Sequence, residues 1–402
     1  MSWPTARLEE MTEQERSITY GVVKPGPEDI ENGIRFVRGG DIKDGKIAIG
    51  SLRTITEAVS KRYSRTLLRG GEILVSLVGN PGEAAVVPDE LAGANIARQA
   101  GVIALRSEFN PKFVEYFLRS PRGRSELFQR TKGSVQQVIN LADLKTVQVP
   151  QPDEVVQKRI VSILAAYDDL IENNRRRITL LEETARLLYR EWFVHFRFPG
   201  HEHVKIIDGV PKGWEKTKLG KVADTNPESY KKGKLPERLN YIDISSVSQG
   251  RIDHKTEMDS EVAPGRARRI ARHGDTIWSN VRPNLRAYSI VLNPEDNDVF
   301  STGFTILRAN KIGPALLYFF ATSDAFVEHL VNHATGTSYP AVRPEDFEKA
   351  EVLVPSSDLL VSFEEFCEPI FRQIELLNRK ATESANARDL LLPRLMDGRL
   401  EV

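Results

Sequence analysis

Ile171-Glu172-Asn173-Asn174-Arg175-Arg176-Arg177, followed by Leu187-Leu188-Tyr189-Arg190-Glu191-Trp192, decides how this 402-residue chain is read, because it occurs twice. The second occurrence is Ile374-Glu375-Leu376-Leu377-Asn378-Arg379-Lys380 with Leu390-Leu391-Leu392-Pro393-Arg394-Leu395. The offset is 374 − 171 = 203 residues, and Leu188/Leu391, Gly71/Gly274 and Gly133/Gly336 keep it. Phe36/Tyr241 and Gly45/Gly250 are 205 apart, so small insertions separate the copies. The chain is two copies of one unit. Two like units on one chain suggest a pseudo-twofold object, and such an object can read a two-part target.

Each repeated segment sits on a long helix. From about Asp153 to Phe193 the apolar seam is Ile160, Leu164, Tyr167, Ile171, Asn174, Ile178, Leu181, Ala185, Leu188 and Trp192. Its steps alternate four and three, the heptad seam of a coiled coil. At 1.5 Å per residue this helix is roughly 60 Å long. From about Asp358 to Leu395 the seam recurs as Phe363, Cys367, Ile370, Ile374, Leu377, Ala381, Leu391 and Leu395, with Ser384 and Arg388 weakening its middle. A lone helix with an apolar stripe is unstable, so the two are expected to pack on each other. A pseudo-twofold perpendicular to the pair makes them antiparallel and puts the globular parts at opposite ends. Asn174 in the seam is either a tolerated polar residue near the surface or a register device.

Ahead of each helix lie about 150 residues of short β-rich segments punctuated by glycine and proline. Ile34 to Val37, Ile73 to Val78, Ala84 to Val87 and Gly101 to Leu105 read as strands. Their counterparts are Leu239 to Ile244, Thr276 to Ser279, Tyr288 to Leu292 and Thr305 to Leu307. A helix follows at Pro111 to Leu118 and again at Pro314 to Ala321. The class is α+β.

Composition narrows the function. Hydrophobic residues at 40% and charged residues at 28% describe a soluble globular protein of two to three domains. Net charge is +0, from 56 basic and 56 acidic residues, which argues against a nucleic-acid partner held by bulk charge and leaves room for local basic patches. The one cysteine, Cys367, rules out an internal disulfide and a cysteine zinc site, and reads as a buried, inert thiol. Such sparse cysteine fits a reducing cytosol, so a cytoplasmic location is expected. Met1 to Arg7 has no apolar signal core. No window approaches the roughly 18 apolar residues of a membrane span.

No catalytic constellation stands out. There is no Gly-x-x-x-x-Gly-Lys-Ser/Thr phosphate loop. Asn80-Pro81-Gly82 and Arg282-Pro283-Asn284 come nearest to an amino-methyltransferase motif, but both lack its second proline and aromatic, and turn chemistry explains them. His329 and His333 have metal-ligand spacing, yet Leu330 stands where a zinc protease has glutamate and no third ligand is evident. A structural pair is the simpler reading. His201 and His203 around Glu202 look solvated.

What remains is binding chemistry in loops that recur with different residues. Lys61, Arg62 and Arg65 match Arg266, Arg268 and Arg269 in position. Lys132, Ser134, Gln136 and Gln137 match Thr337, Ser338 and Tyr339, with Arg343 beyond. Arg282, Asn284 and Arg286 form a third cluster, and Asn80, Arg98 and Gln99 complete the first copy's set. Arginine and lysine neutralise phosphates or pair with guanine, and asparagine and glutamine pair with adenine edges. Taken singly, each of these is equally an ordinary solvated side chain. A shared frame with divergent loops is what two readers of two different half-sites would show.

Gln157 to Arg176, then Trp192-Phe193-Val194-His195-Phe196, then Pro211-Lys212-Gly213-Trp214-Glu215 opening the second half, carry a resemblance to the specificity subunit of type I restriction–modification systems, the first of these being similar to that family's central helix. Leu391 to Gly398 is similar to the family's ending, and Trp3-Pro4 with Leu8 matches the start of the first copy as Trp214 with Leu219 does the second. It departs at His195, where an acidic residue is common, and in lacking a glutamine-lysine start to the second helix. The resemblance implies a target recognition domain at 1–152, a central spacer helix at 153–200, a second recognition domain at 201–357 and a C-terminal spacer helix at 358–402. It implies double-stranded DNA as partner, each recognition domain reading half of a split site and the helices setting the gap. It further implies two methylation subunits carrying adenosylmethionine and two restriction subunits using ATP and Mg, with no cofactor on this chain and no catalysis by it. Two other readings compete. A coiled-coil scaffold displaying two heads to proteins would show no salt-dependent DNA affinity. A single-chain methyltransferase would need a cofactor domain for which the chain leaves no room.

Overall fold

The runs Ile73–Ser76 and Ala100–Ile103 contain only apolar or small residues, and every one of them is buried. Burial on both faces explains why they read as continuous apolar runs with no alternation. In the computed structural model, which describes residues 3–129, 131–132 and 138–402, they form the centre of a four-stranded antiparallel sheet ordered Thr19–Tyr20, Ala100–Ile103, Ile73–Ser76, Ala84–Val86. A smaller sheet sets Ile34–Val37 between Arg53–Ile55, antiparallel, and Asn95–Ile96, parallel.

The second copy repeats this plan. Ala223–Thr225, Phe304–Ala309, Thr276–Ser279 and Tyr288–Ile290 make the four-stranded antiparallel sheet. The mixed sheet again has one parallel pair, Arg238–Ile242 with Asp298–Ser301, flanked by Thr256–Asp259 and Ala267–Arg269. Each copy also pairs a strand near its start with its last: Thr5–Arg7 with Gln148–Pro150, and Glu215–Lys218 with Glu351–Val354. That pairing returns the chain to one place before it enters a long helix.

Four helices carry the rest of the argument: α1 (Pro111–Arg119), α2 (Glu154–Tyr189), α3 (Pro314–Ala321) and α4 (Ser357–Met396). Two compact units result, Met1–Glu172 with Ala381–Val402, and Asn173–Lys380. Each long helix therefore gives one half to each unit.

In the first unit, Ile73, Val75 and Ile103 from the sheet and Phe113 and Phe117 from α1 share a core with Ile160 and Leu164 of α2 and Leu392, Leu395 and Met396 of α4. In the second, Trp278, Tyr288, Phe319 and Phe326 share a core with Ala185, Tyr189 and Phe193 of the first long segment and Phe363, Cys367, Phe371 and Ile374 of α4. The start of α2 thus meets the end of α4, and the end of α2 meets the start of α4. The helices run antiparallel, joining two repeated α+β domains.

Burial along the seam follows the heptads with a drift. Ile160, Leu164, Phe363 and Cys367 are fully buried, and Ile171, Asn174, Ile374 and Leu377 nearly so. Tyr167, Ile178, Leu181, Leu188, Ile370 and Leu391 are half-buried. Tyr189, Phe371 and Leu392, each one place beyond a heptad position, are the more buried residues. A helix of 3.6 residues per turn drifts about 20° per heptad, which moves the inward position on by one residue. The end of the first long helix is also not α-helical as expected: Arg190–Val194 forms a π turn, and Phe193, not Trp192, is the buried ring.

Candidate nucleic-acid interface

The recurring loops are held in pairs. In the second unit, the chain leaving Thr276–Ser279 bridges Val281 to Ala341. Arg282 N donates to Pro340 O at 2.7 Å and Val342 N to Asn280 O at 2.9 Å, while Thr335 and Ala341 exchange two backbone bonds at 2.9 Å. Loop 280–286 and loop 334–343 are thereby fastened together. Pro283–Leu285 is a single 3-10 turn flanked by two arginines in the left-handed region, Arg282 at φ 52° and Arg286 at φ 55°. The Arg282 guanidinium lies 4.6 Å over the Tyr339 ring and donates from Nη2 to Ser338 O at 3.3 Å. Tyr339 is 70% exposed and Leu285 63%. Asn284, Thr337, Ser338 and Arg343 are also exposed.

The other arginines of this unit are more committed. Arg286 pairs with Asp324 at 2.5 Å. Arg266 donates to the Tyr241 hydroxyl at 3.1 Å and lies 3.8 Å from Asp243. Arg268 donates to Gly265 O, and Arg269 to Ser229 Oγ, both at 3.1 Å. Burial lowers the Arg269 pKa, and its Nε is buried with no hydrogen-bond partner. The turn at Thr302 and Gly303 ties this cluster to the loops: Thr302 N donates to Arg266 O, Asn280 N to Gly303 O, and Asn280 Nδ2 to Thr302 O. Arg266, Asn280 and Arg282 thus belong to one connected edge.

The first unit keeps the same fastening 203 residues earlier. Val78 bridges Val138, and Ile139 N donates to Leu77 O at 3.0 Å. The Ser76 hydroxyl donates to Val78 O as that of Ser279 does to Val281 O. Asn80 is exposed at the tip, between Gly79 (φ 91°) and Gly82 (φ 94°). Gln99 lies beside this loop, its carbonyl accepting from Leu77 N at 2.7 Å, and the adjacent Arg98 is exposed. Lys132 lies in the short strand Thr131–Lys132, paired with Val138–Ile139. Ser134, Gln136 and Gln137 fall outside the described residues.

Lys61 and Arg62 end the helix Glu57–Arg62, where Lys61 pairs with Glu57 at 2.9 Å and Arg62 Nε donates to Ala58 O at 3.4 Å. Arg65 follows in a 3-10 turn and lines a polar cleft of about 700 Å³ with Glu13, Arg16, Thr19 and Arg69. Arg16 itself is spent on structure, paired with the buried Glu72 at 2.5 Å.

Two features the sequence reading raised resolve as structural. His333 Nδ1 lies 2.8 Å from His329 O, and His329 Nε2 lies 2.8 Å from Asp346 O. Cys367 is fully buried, and burial pushes its thiol pKa up. Among the described residues no cluster of three metal-ligating side chains occurs, and no helix is long and apolar enough to cross a membrane. A groove of about 760 Å³ in the second unit is rimmed by Glu364, Glu365, Glu368 and Glu375, the wrong charge for a phosphate backbone.

Comparison with known proteins gives a consistent answer. Residues 17–183 match the family model of the type I restriction modification DNA specificity domain. The chain is 24% identical over 369 residues to the type I restriction enzyme MjaIX specificity subunit of Methanocaldococcus jannaschii, covering 87% of this chain and 82% of that one. It is 35% identical over 176 residues to the EcoBI specificity subunit of Escherichia coli, covering 42% and 36%. The crystal structure of a type I restriction–modification S subunit from M. genitalium has the same fold, with a TM-score of 0.52 at 15% identity over 98% of this chain and 96% of that one.

Proposed function

We propose that the chain is a specificity subunit of a type I restriction–modification system and that it reads a split, asymmetric double-stranded DNA site. The domain within residues 1–152 takes one half-site and that within 201–357 the other. The helices at 153–200 and 358–402 set the gap between them. Two methylation subunits and two restriction subunits dock on this frame and supply adenosylmethionine, ATP and Mg. The chain itself performs no bond-making step; it positions DNA.

The observation that carries this reading is the pair of fastened loops, Val78 with Val138 and Val281 with Ala341, at equivalent places in the two units. Their frames agree while their tips differ: Gly79-Asn80 in one, Arg282-Pro283 in the other. Like frames with unlike tips favour two half-sites of different sequence. Arginine and lysine at these edges neutralise phosphates and set register, while Asn80, Gln99 and Arg282 offer donors to base edges. With a net charge of +0 on the whole chain, such local groups and the partner subunits would carry the electrostatics.

The test is genome-wide mapping of methylated adenines in cells holding this chain with its methylation subunit, compared with cells lacking the chain. A split motif that disappears without the chain is the expected result. Unchanged methylation would overturn the reading. Retained pull-down of proteins with no salt-dependent DNA affinity would favour the scaffold alternative.

A further inference from the structure

The two copies solve one turn in different ways. Gly79 and Arg282 are 203 residues apart, each directly after the valine that bridges the partner loop, Val78 or Val281. Both adopt left-handed backbone, φ 91° for Gly79 and φ 52° for Arg282. Glycine enters that region freely, whereas a residue with a Cβ does so at a cost. The first copy meets the demand of the turn with the residue best suited to it. The second places an arginine there, and strain kept at an exposed position points to a use for the side chain.

The side chain is held ready for such a use. Its guanidinium is stacked 4.6 Å from the centre of the Tyr339 ring, and Nη2 is steadied by Ser338 O. Among the described residues no carboxylate pairs with it, unlike its neighbour Arg286, which Asp324 neutralises. The backbone on either side is fixed by Arg282 N to Pro340 O and Leu285 N to Arg282 O. A planar fork of donors, pre-oriented by stacking on an exposed ring, matches a pair of acceptors such as guanine O6 and N7.

We infer that Arg282, held by Tyr339, is a specificity-determining residue of the second domain and reads a guanine in that domain's half-site. The inference rests on the DNA-reading function proposed above. A phosphate contact is the weaker account, because a mobile lysine on an unstrained backbone serves that purpose as well.

The experiment maps methylation by the complete complex carrying wild-type chain, Arg282→Gly, Arg282→Lys or Tyr339→Ala, and records the melting temperature of each complex. The second domain's half-site is the one that survives exchange of residues 1–152. Arg282→Gly is expected to melt at the same temperature or higher, because the strain is relieved. It should also lose discrimination at one guanine of that half-site by about tenfold or more, leaving the other half-site unchanged. Arg282→Lys keeps the charge without the fork and should relax the same position, and Tyr339→Ala should relax it in part. An unchanged motif with Arg282→Gly overturns the inference. So does a uniform slowing that Arg282→Lys restores, which would make Arg282 a phosphate contact. A lower melting temperature with loss at both half-sites would make it structural and also overturn the inference. If the wild-type chain confers no split motif, it is the underlying DNA-reading function that fails, a result distinct from these.

Discussion

The Tyr116 hydroxyl, on α1, donates to the Asp168 carboxylate, on α2, at 2.7 Å. At the equivalent places 203 residues on, Phe319 and Phe371 stack with ring centres 6.0 Å apart. One joint between a globular part and a long helix is thus a hydrogen bond in the first unit and an aromatic stack in the second. Asp168 also accepts from Arg388 of α4 at 2.7 Å, so one carboxylate ties α1 to both long helices. Burial alone would raise the Asp168 pKa; the bonds from Arg388 and Tyr116 and the charge of Arg119 outweigh it and hold the pKa below the ordinary value.

Removing this joint gives a pH signature. Tyr116→Phe should cost about 1.5–3 kcal/mol, the worth of a bond to a charged acceptor, in urea unfolding of the full chain. Arg388→Met should cost a similar amount near neutral pH. Because the native Asp168 pKa lies below its unfolded value, its stabilisation is full above that unfolded value and disappears as pH falls through the native one. The gap between wild type and Arg388→Met should therefore narrow as pH drops below about 4. A constant gap would show that Asp168 is not the group responsible.

A second joint concerns the start of α3. Its cap position is Gly313, which has no side chain to offer, and Glu364 of α4 accepts from Ala315 N at 3.1 Å and Leu316 N at 3.0 Å instead. A Cβ on Gly313 would meet the Glu364 carboxyl at 2.0 Å. In the first copy Asn110 caps α1 with its own side chain. Glu364→Ala should cost about 1–2 kcal/mol in thermal or urea unfolding, the loss of a helix cap. Burial raises the Glu364 pKa, against the two backbone bonds that lower it. The two bonds end on different oxygens, Oε2 and Oε1, and an amide keeps only one of these acceptors while turning an NH2 toward the other N–H, so Glu364→Gln should recover only part of what Glu364→Ala loses.

Spacer length should follow helix length. Two heptads added to each long helix, matched so that facing residues stay paired, should lengthen the preferred gap between half-sites in methylation mapping. An insertion in one helix alone slips the other out of register and should unfold the pair. An unchanged gap after the matched insertion would reject the ruler.

Exchange of residues 1–152 for the corresponding part of another specificity subunit should alter one half-site and leave the second and the gap in place. Alteration of both halves would mean that the domains do not read independently.

Much of this architecture is legible in the sequence because a duplicated chain exposes its own frame. The seam is readable from Ile160 and Leu164 and their counterparts Phe363 and Cys367, since heptad steps report a buried face directly. The drift to Tyr189, Phe371 and Leu392 is not, because it depends on how far the helices depart from a 3.5-residue repeat. Arg388 looks like a weak point in a seam, but 220 residues of chain separate it from Asp168, the acceptor that explains it. At the candidate interface, Arg282 and Tyr339 are visible as candidates, while their stacking depends on the Val281–Ala341 bridge. The left-handed backbone of Arg282 has no sequence signature, because the residue expected there is the glycine found in the other copy.

Cys367 lies fully buried between Phe363 and Phe371 in the core of the second unit. As the chain's one thiol, it reacts with an alkylating reagent only when this part of the core comes open. Its labelling rate is thus a built-in gauge of how often the helix pair breathes. The same thiol, read with and without DNA or the proposed partner subunits, would report whether any of them steadies this core, with no probe engineered into the protein.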